Sequence, residues 1–303
     1  MPDFKEKAKK ILENHIRNLN ESGYETSEPQ SAQFNFNTDV SDLNGKVKLL
    51  VYFSNRGNKV TIQGNKELAL YQKVNDIVFG EKLFEQENTN IIEPENYIGT
   101  DESGKGDYFG PLVVAAVLTD KTITKRLRNL GVKDSKELSD YSISHIAAEI
   151  KKLDDCVFST VVINPEKYNI LYEKMGNLNR LLGWAHAKAL ENVLAVKSAP
   201  EAISDKFGNE KYIQSSLQKM GKGLILHQET KAEKYTAVAA ASILARDEFN
   251  KWFFVIKKIE NLDLPKGASS IVDEKAKEIN NKHGIEVLKT LAKLHFKTTK
   301  KIN

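Results

Sequence analysis

The order of apolar and polar residues divides the chain into two regions of different pattern. Residues 3–20 place apolar side chains every three or four positions, which predicts an amphipathic helix. Strand-like segments follow at 33–36, 47–54 and 59–63. Residues 55–58, Asn-Arg-Gly-Asn, are a turn signal between the last two strands. A short helix is predicted from about residue 67 to 78, so that residues 1–85 form a helix–sheet–helix unit.

The second region alternates strands with helices. It follows residues 86–95, a polar stretch with one proline that predicts a linker. The predicted strands are 97–100, 111–119, 157–163, 202–205 and 223–227. The predicted helices are 121–130, 142–153, 176–194, 234–258, 273–280 and 287–294. This alternation predicts an α/β domain over residues 96–303.

Composition narrows the class of protein. The chain has 303 residues, 40% of them hydrophobic, which suits roughly two domains with buried cores and excludes wholesale disorder. A single cysteine, Cys156, excludes a disulfide framework and a Cys-rich zinc site. No apolar run approaches the ~18 residues of a membrane span. The charged N-terminus lacks the apolar segment of a signal peptide, so we expect a soluble, cytoplasmic protein.

The charge is distributed unevenly. The total of 45 Lys and Arg against 41 Asp and Glu gives a net charge of only +4. Residues 1–86 are neutral, whereas residues 251–303 hold 12 lysines and 6 acids. This surplus is either a solvated helix face or a surface that contacts phosphates.

Two adjacent acids carry the strongest local signal for chemistry. Asp101 and Glu102 end an apolar strand. Successive strand residues point to opposite faces, so we expect Glu102 to lie past the strand end, where both carboxylates can face one site. Neighbouring carboxylates repel each other, and a divalent cation with a preference for oxygen ligands, Mg²⁺ or Mn²⁺, removes that conflict. Taken alone, such a pair is also common on protein surfaces.

The residues after this pair form a glycine loop, Ser103-Gly104-Lys105-Gly106. Glycines let backbone N–H groups approach a sugar-phosphate closely, and Lys105 adds a positive charge. An ordinary β-turn is the alternative, and the spacing does not fit a P-loop. Two further acids, Asp205 at a predicted strand end and Glu233 before an Ala-rich helix, are candidates for the same site or for simple caps.

Residues 97–111, YIGTDESGKGDYFGP, resemble the opening catalytic motif of the type 2 ribonuclease H family. The Gly-Lys-Gly followed by Asp-Tyr-Phe-Gly-Pro is similar to the ribonuclease HIII version, whereas ribonuclease HII usually has Gly-Arg-Gly. Further stretches match in the same order: 132–139, 177–179, 240–242, 264–269 and 293–298. The resemblance covers about residues 96–298.

This resemblance implies a fold and an activity. The fold would be a ribonuclease H-like α/β domain, with a mixed central sheet flanked by helices. A small α+β TATA-binding-protein-like domain, which binds substrate, would precede it. The activity would be hydrolysis of the RNA strand of RNA–DNA hybrids by a two-metal mechanism with Mg²⁺, or Mn²⁺ as a substitute. The products would carry 5′-phosphate and 3′-hydroxyl ends, and the protein would act as a monomer.

The resemblance also assigns residues. The family's four catalytic and metal-binding acids match Asp101, Glu102, Asp205 and Glu233. Glu229 is a competing candidate for the fourth position. The loop Ser103–Gly106 would bind substrate, with Gly104, Lys105 and Gly106 contacting the ribose 2′-hydroxyl that distinguishes RNA from DNA. Two alternatives stay open: a ribonuclease HII-like enzyme cutting at single embedded ribonucleotides, and a non-catalytic hybrid-binding protein.

Overall fold

The computed structural model describes residues 2–42, 45–54, 57–65, 68–80, 93–133, 135–209 and 211–302. The chain divides into two compact units, Met1–Asn90 and Ile91–Asn303. The predicted linker lies outside the described residues as far as residue 92. Among the described residues, no helix is both long and apolar enough to cross a membrane.

The first unit is an antiparallel sheet with two helices. Its helices are α1 (Pro2–Glu21) and α2 (Ala69–Gly80), and its strands are β1 (Glu25–Thr26), β2 (Gln30–Ser31), β3 (Asn35–Asp42), β4 (Gly45–Ser54) and β5 (Gly57–Gln63). The strand order is β1-β3-β4-β5, and β2 also pairs with β3. Val47, Leu49 and Val51 alternate along β4 and are buried in the core with Leu12 of α1 and Val74 of α2. The predicted helices and the last two strands are confirmed, but the strand predicted at 33–36 begins later and runs to Asp42.

The second unit contains a mixed five-stranded sheet. Its strands are β6 (Asn96–Ser103), β7 (Leu112–Asp120), β8 (Phe158–Ile163), β9 (Glu201–Asp205) and β10 (Ile225–Glu229). Their order is β10-β9-β6-β7-β8. The pairs β6–β9 and β9–β10 are parallel, and the pairs β6–β7 and β7–β8 are antiparallel.

Helices pack on both faces of this sheet, and further helices pack mainly against one another. They are α3 (Lys121–Asn129), α4 (Asp140–Lys151), α5 (Pro165–Met175), α6 (Leu178–Leu194), α7 (Lys211–Gln214), α8 (Thr236–Glu260), α9 (Ser270–Leu291) and α10 (Lys297–Ile302). One core joins Val114 of β7 to Leu182 of α6, and the other joins Val113 of β7 to Leu244 of α8. Burial on both faces explains why β7 is almost continuously apolar.

Helix α8 lies directly against β6. A Cβ atom added to Gly99 would come within 2.2 Å of the backbone of Ala237 and Val238, so only glycine allows this approach. The Ala-rich sequence of α8 therefore reflects close packing against the strand that carries Asp101 and Glu102.

The helices differ from the sequence pattern in several places. Helix α5 has no predicted counterpart. It ends at Gly176, whose φ of 63° is left-handed, and Asn177 then caps α6, so the helix predicted from 176 begins at Leu178. Gly284, with φ 79° and ψ 170°, is not helical, so α9 consists of two helices on either side of a kink. These match the helices predicted at 273–280 and 287–294, except that the second ends at Leu291.

Candidate active site

Asp101 and Glu102 both lie within β6, so the expectation that Glu102 lies beyond the strand is wrong. Strand β6 continues to Ser103 because β7 pairs with it throughout, with Asp101 opposite Ala115 and Glu102 opposite Val114. Asp101 lies on the side of α8, and both it and Ser242 of α8 line the same cleft. Glu102 contacts α6 on the other face, as strand alternation requires.

The two acids can share a site because the sheet opens beside them. Strands β6 and β9 pair in parallel only as far as Thr100 and Ser204. Asp205 follows at once, level with Asp101, at the point where the two strands stop pairing. Ligand sites commonly form at such carboxyl ends of parallel strands.

A cleft of about 380 Å³ lies at this opening. All eight residues predicted from the sequence line it: Asp101, Glu102, Ser103, Gly104, Lys105, Gly106, Asp205 and Glu233. The structure therefore brings together residues that are far apart in the sequence, from the strand ends of β6 and β9 and from the turn before α8.

The environment of Asp101 disfavours its charge. Burial, followed by the negative charge of Glu102, raises its pKa to about 8, although a hydrogen bond from Ser242 acts in the opposite direction. The negative charge of Asp205 adds to the increase. The Asp101 carboxyl therefore lies in a negative potential that a cation would relieve.

Glu102 has the opposite balance. Burial by itself would raise its pKa, but His186 and Lys105 outweigh that effect and hold the pKa below its usual value. His186 Nε2 lies 3.2 Å from Oε2, and Lys105 Nζ lies 3.2 Å from Oε1. Glu102 is thus the ionised member of the pair.

His186 was not singled out by sequence reasoning. It is fully buried on the apolar helix α6, and its ring stacks on Phe207 at 4.9 Å between centroids. Its Nδ1 lies 3.0 Å from the Thr100 hydroxyl, which donates its only hydrogen to Ala115 O at 2.7 Å. Nδ1 must therefore be the donor toward Thr100, and the contact of Nε2 with Glu102 requires a proton between those two atoms. The isolated histidine within an apolar helical pattern was the available signal.

Asp205 and Glu233 are joined by a short backbone link. Asp205 Oδ1 accepts a hydrogen bond from Ala232 N at 3.2 Å. Glu233 lies in the 3₁₀ turn Ala232–Lys234 that precedes α8, with Lys136 Nζ 3.8 Å from its Oε1. The hydrogen bond from Ala232 N to Asp205 holds the turn that contains Glu233 against the end of β9.

Glu229, the competing candidate, has a different environment. It ends β10, and its carboxylate accepts hydrogen bonds from Tyr235 at 3.0 Å and pairs with Lys234 at 2.7 Å. It is not among the described residues that line the cleft. Glu233 therefore stays the better candidate for the fourth acid.

The glycine loop is shaped by close backbone contacts. Gly104 has φ +87°, and a Cβ atom there would lie 2.1 Å from Pro111 O. Gly106 differs, because a Cβ atom there would meet nothing within 4 Å. Lys105 Nζ lies 5.5 Å from the centroid of the Phe207 ring, so one aromatic ring supports both Lys105 and His186.

Three more cations line the cleft: Lys136, Arg246 and Lys266. Arg246 and Lys266 both pair with Asp140, at 3.2 and 3.0 Å. Asp107, which also lines the cleft, accepts a hydrogen bond from Gly267 N at 2.6 Å, so this side of the cleft carries both acids and cations. Ser135 is hydrogen-bonded to Ser242 at 2.8 Å, and the neighbouring Asp134 lies outside the described residues.

The acids do not form a ready-made metal cage. Within the described ranges, no three His, Cys, Asp or Glu side chains are grouped closely enough to hold an ion. Glu102 and Glu233 instead contact Lys105 and Lys136. The donor chemistry nevertheless fits a hard divalent cation, because the set consists of carboxylate oxygens and Asp101 lies in a negative potential.

Comparison with known proteins places the chain. A sequence model of ribonuclease HII matches residues 98–299. Ribonuclease HIII of Protochlamydia amoebophila (strain UWE25) is 35% identical over 289 residues, or 95% of this chain and 92% of the relative. Ribonuclease HIII of Chlamydia pneumoniae is 45% identical over 66% of this chain and 68% of its own. The crystal structure of Bst-RNase HIII in complex with Mn²⁺ matches with a TM-score of 0.62 and 28% identity, over 97% of this chain and 95% of that chain.

The mixed sheet, its flanking helices and the family match define an endoribonuclease of the ribonuclease H type. The relatives that match nearly the whole chain, including the N-terminal unit, identify the type of ribonuclease H more specifically, because both are ribonuclease HIII proteins. The chain belongs to the ribonuclease HIII family. The predicted family, fold class and enzyme class are therefore confirmed.

Proposed function

We propose that this protein hydrolyses the RNA strand of RNA–DNA hybrids, leaving 5′-phosphate and 3′-hydroxyl ends. One observation carries the proposal: the four acids and the glycine loop, predicted from separate motifs, line a single cleft. Membership of the ribonuclease HIII family supports the same function. The presence of all four acids disfavours the alternative of a non-catalytic hybrid-binding protein.

Asp101, Glu102, Asp205 and Glu233 would hold divalent metal, with Mg²⁺ as the cofactor and Mn²⁺ as a substitute. Bound divalent ions supply a nucleophilic hydroxide at neutral pH and stabilise charge on the scissile phosphate and leaving oxygen. Asp101 is central to the set, because its carboxyl lies near both Glu102 and Asp205. The related Bst-RNase HIII was crystallised in complex with Mn²⁺, which supports this assignment.

The other residues of the cleft would bind and orient the hybrid. Gly104, Lys105 and Gly106 would contact the ribose 2′-hydroxyl, and the open space beside Gly106 gives the substrate backbone room to approach. Arg246 and Lys266 would attract backbone phosphates, which makes binding sensitive to salt.

The unit at residues 1–85 would bind substrate, joined by the linker 86–95 to the catalytic domain 96–303. Alternation along β4 places Lys46, Lys48 and Tyr52 on the face away from the helices, and pairing places Lys59 beside Tyr52. Lys46 and Lys48 share one acidic partner, Asp39, at 2.9 and 3.6 Å. The face thus combines basic side chains with an aromatic ring, which suits nucleic acid. A monomeric state and a cytoplasmic location complete the proposal.

A cleavage assay tests the proposal. A continuous RNA–DNA hybrid and a DNA duplex with one embedded ribonucleotide are incubated with Mg²⁺ and with Mn²⁺ in separate titrations. We expect cleavage of the continuous hybrid to be strongly preferred and to be abolished by Asp101→Asn. Cleavage chiefly at the single ribonucleotide would favour the ribonuclease HII-like alternative, and full activity of D101N would refute the assigned site.

The role of the N-terminal unit has its own test. Deletion of residues 1–85 is expected to weaken hybrid binding more than it slows turnover at saturating substrate. Hybrid affinity is measured with a catalytically inactive background, D101N. Unchanged affinity after deletion would contradict the proposed role.

A further inference from the structure

Lys293 is a buried lysine that is not among the predicted catalytic or substrate-binding residues. Its side chain is fully buried, and its ammonium donates to Gly110 O at 2.5 Å and to Phe109 O and Pro111 O at 3.4 Å each. Its hydrogen-bond acceptors among the described residues are therefore all carbonyl oxygens of one short segment. The ammonium also lies 5.7 Å from the centroid of the Tyr168 ring.

A lysine is unfavourable in this position, because burial opposes the charge on its amino group. Burial lowers the pKa of Lys293 to about 7, and the negative charge of Asp107 only partly offsets this effect. An apolar side chain of similar length would fill the space without that penalty. It would, however, leave the carbonyls of residues 109–111 without their donor. The ammonium therefore serves to hold these carbonyls in place.

The segment held by Lys293 supports the glycine loop. Pro111 O lies against the Cα atom of Gly104, so closely that a Cβ atom there would be 2.1 Å from it. The Lys293 backbone also donates to Tyr108 O at 2.8 Å, so main chain and side chain hold the same segment. Because Gly104 has no side chain to absorb movement, a displacement of Pro111 shifts the loop directly.

We propose that Lys293 is a positioning residue for the glycine loop Ser103–Gly106, and that it thereby sets the enzyme's dependence on the ribose 2′-hydroxyl. The inference rests on the proposed function, in which the loop contacts that hydroxyl. Lys293 acts through the carbonyls of residues 109–111 and does not touch the substrate.

The experiment compares two duplexes that differ in one hydroxyl. The first contains a short ribonucleotide tract within DNA, and the second has one ribose of that tract replaced by 2′-deoxyribose beside the scissile bond. Lys293→Met removes the ammonium and keeps the length of the side chain. Lys289→Met is the matched control, because Lys289 is partly exposed on α9 and pairs with Glu286. For each protein, kcat and KM are measured on both duplexes, and Mn²⁺ affinity is measured without nucleic acid.

K293M is expected to lower kcat/KM on the ribose-containing tract about tenfold, chiefly through KM. The preference for ribose over deoxyribose should shrink, while Mn²⁺ affinity stays within about twofold because the acids do not move. K289M should match the wild type throughout. A K293M protein with an unchanged ribose preference overturns the proposal, since a purely structural loss of folded protein lowers both rates equally.

A second variant covers the case in which K293M does not fold. Asn169 donates to Ala292 O and accepts from Leu294 N, both at 2.9 Å, and so holds the stretch that carries Lys293. Asn169→Ala should shrink the ribose preference in the same direction, and an unchanged preference again overturns the proposal. If the wild type itself cleaves no hybrid, the proposed function fails and the role of Lys293 with it. Normal wild-type cleavage with unaltered variants refutes only the role of Lys293.

Discussion

His186 Nε2 lies 3.2 Å from Glu102 Oε2, and this contact ties the acid pair on β6 to helix α6. The imidazole is held from its other side by Thr100, so its orientation is fixed by a backbone-anchored hydroxyl. Outer hydrogen-bond partners of this kind orient carboxylate ligands and influence their affinity for metal. We therefore expect His186 to affect metal binding without itself being a ligand.

Replacing His186 tests whether its proton orients Glu102. His186→Phe keeps an aromatic ring on Phe207 but cannot donate, so we expect weaker Mn²⁺ binding and a stability loss of about 1–3 kcal/mol. His186→Gln can still donate and should retain more of both. Calorimetric titration with Mn²⁺ and denaturant unfolding give the two measurements, with His283→Gln on the exposed surface as the control. Equal losses in H186F and H186Q would show that packing, and not donation, is what matters.

The raised pKa of Asp101 predicts that metal binding depends on pH. The pKa lies at about 8, above the usual value of 3.8, so a proton must leave before the carboxylate can bind a cation. Apparent Mn²⁺ affinity should therefore rise up to about pH 8 and then level off. The pH series of titrations is repeated with Asp101→Asn, in which this increase should disappear.

The raised pKa of Asp101 also predicts how the free energy of unfolding changes with pH. The folded state holds the Asp101 proton more tightly than the unfolded state does. Between about pH 4 and pH 8, the folded, metal-free protein therefore binds more protons than the unfolded chain. This group's stabilising contribution is present at low pH and is lost as pH rises through about 8. Urea unfolding in a chelator should show that loss in the wild type and not in D101N.

Two glycines of one loop should respond differently to alanine. Gly104→Ala introduces a Cβ atom 2.1 Å from Pro111 O at φ +87°, so we expect a loss of more than about 1 kcal/mol in unfolding free energy. Gly106→Ala meets no atom within 4 Å and should fold normally. A raised KM for G106A would indicate that the substrate approaches there, whereas normal stability of G104A would contradict the tight contact.

Glu93, which is remote from α8 in the sequence, should stabilise the start of that helix. Its Oε1 accepts from Thr236 N at 2.9 Å, and its Oε2 accepts from Tyr97 Oη at 2.9 Å. Glu93→Gln should lower the unfolding free energy by about 1–2 kcal/mol, because α8 has no side-chain cap of its own. Glu95→Gln is the control, since Glu95 is 75% exposed in its pair with Lys121 and should cost less than about 1 kcal/mol. Thermal melts of both variants provide the measurement.

Much of the site was predictable because its signals are local. The acids at 101 and 102 and the glycine loop follow one another in the sequence. Asp205 and Glu233 were only candidates from their positions beside predicted elements, and the resemblance to the type 2 ribonuclease H family assigned them. The placement of Glu102 was mistaken because it assumed that both carboxylates must leave the strand on one side. In the structure both carboxylates reach one site while remaining in the strand, because the pairing of β9 with β6 ends at Thr100.

The sequence by itself determined the hydrophobic periodicity, the order of the elements and the identity of the acids, since these depend on neighbours along the chain. Tertiary structure alone decided that Asp205 comes level with Asp101, that Glu233 and not Glu229 lines the cleft, and that His186 contacts Glu102. The physical reason is that sheet pairing and helix packing join residues 84 or more positions apart, and such contacts depend on the whole fold.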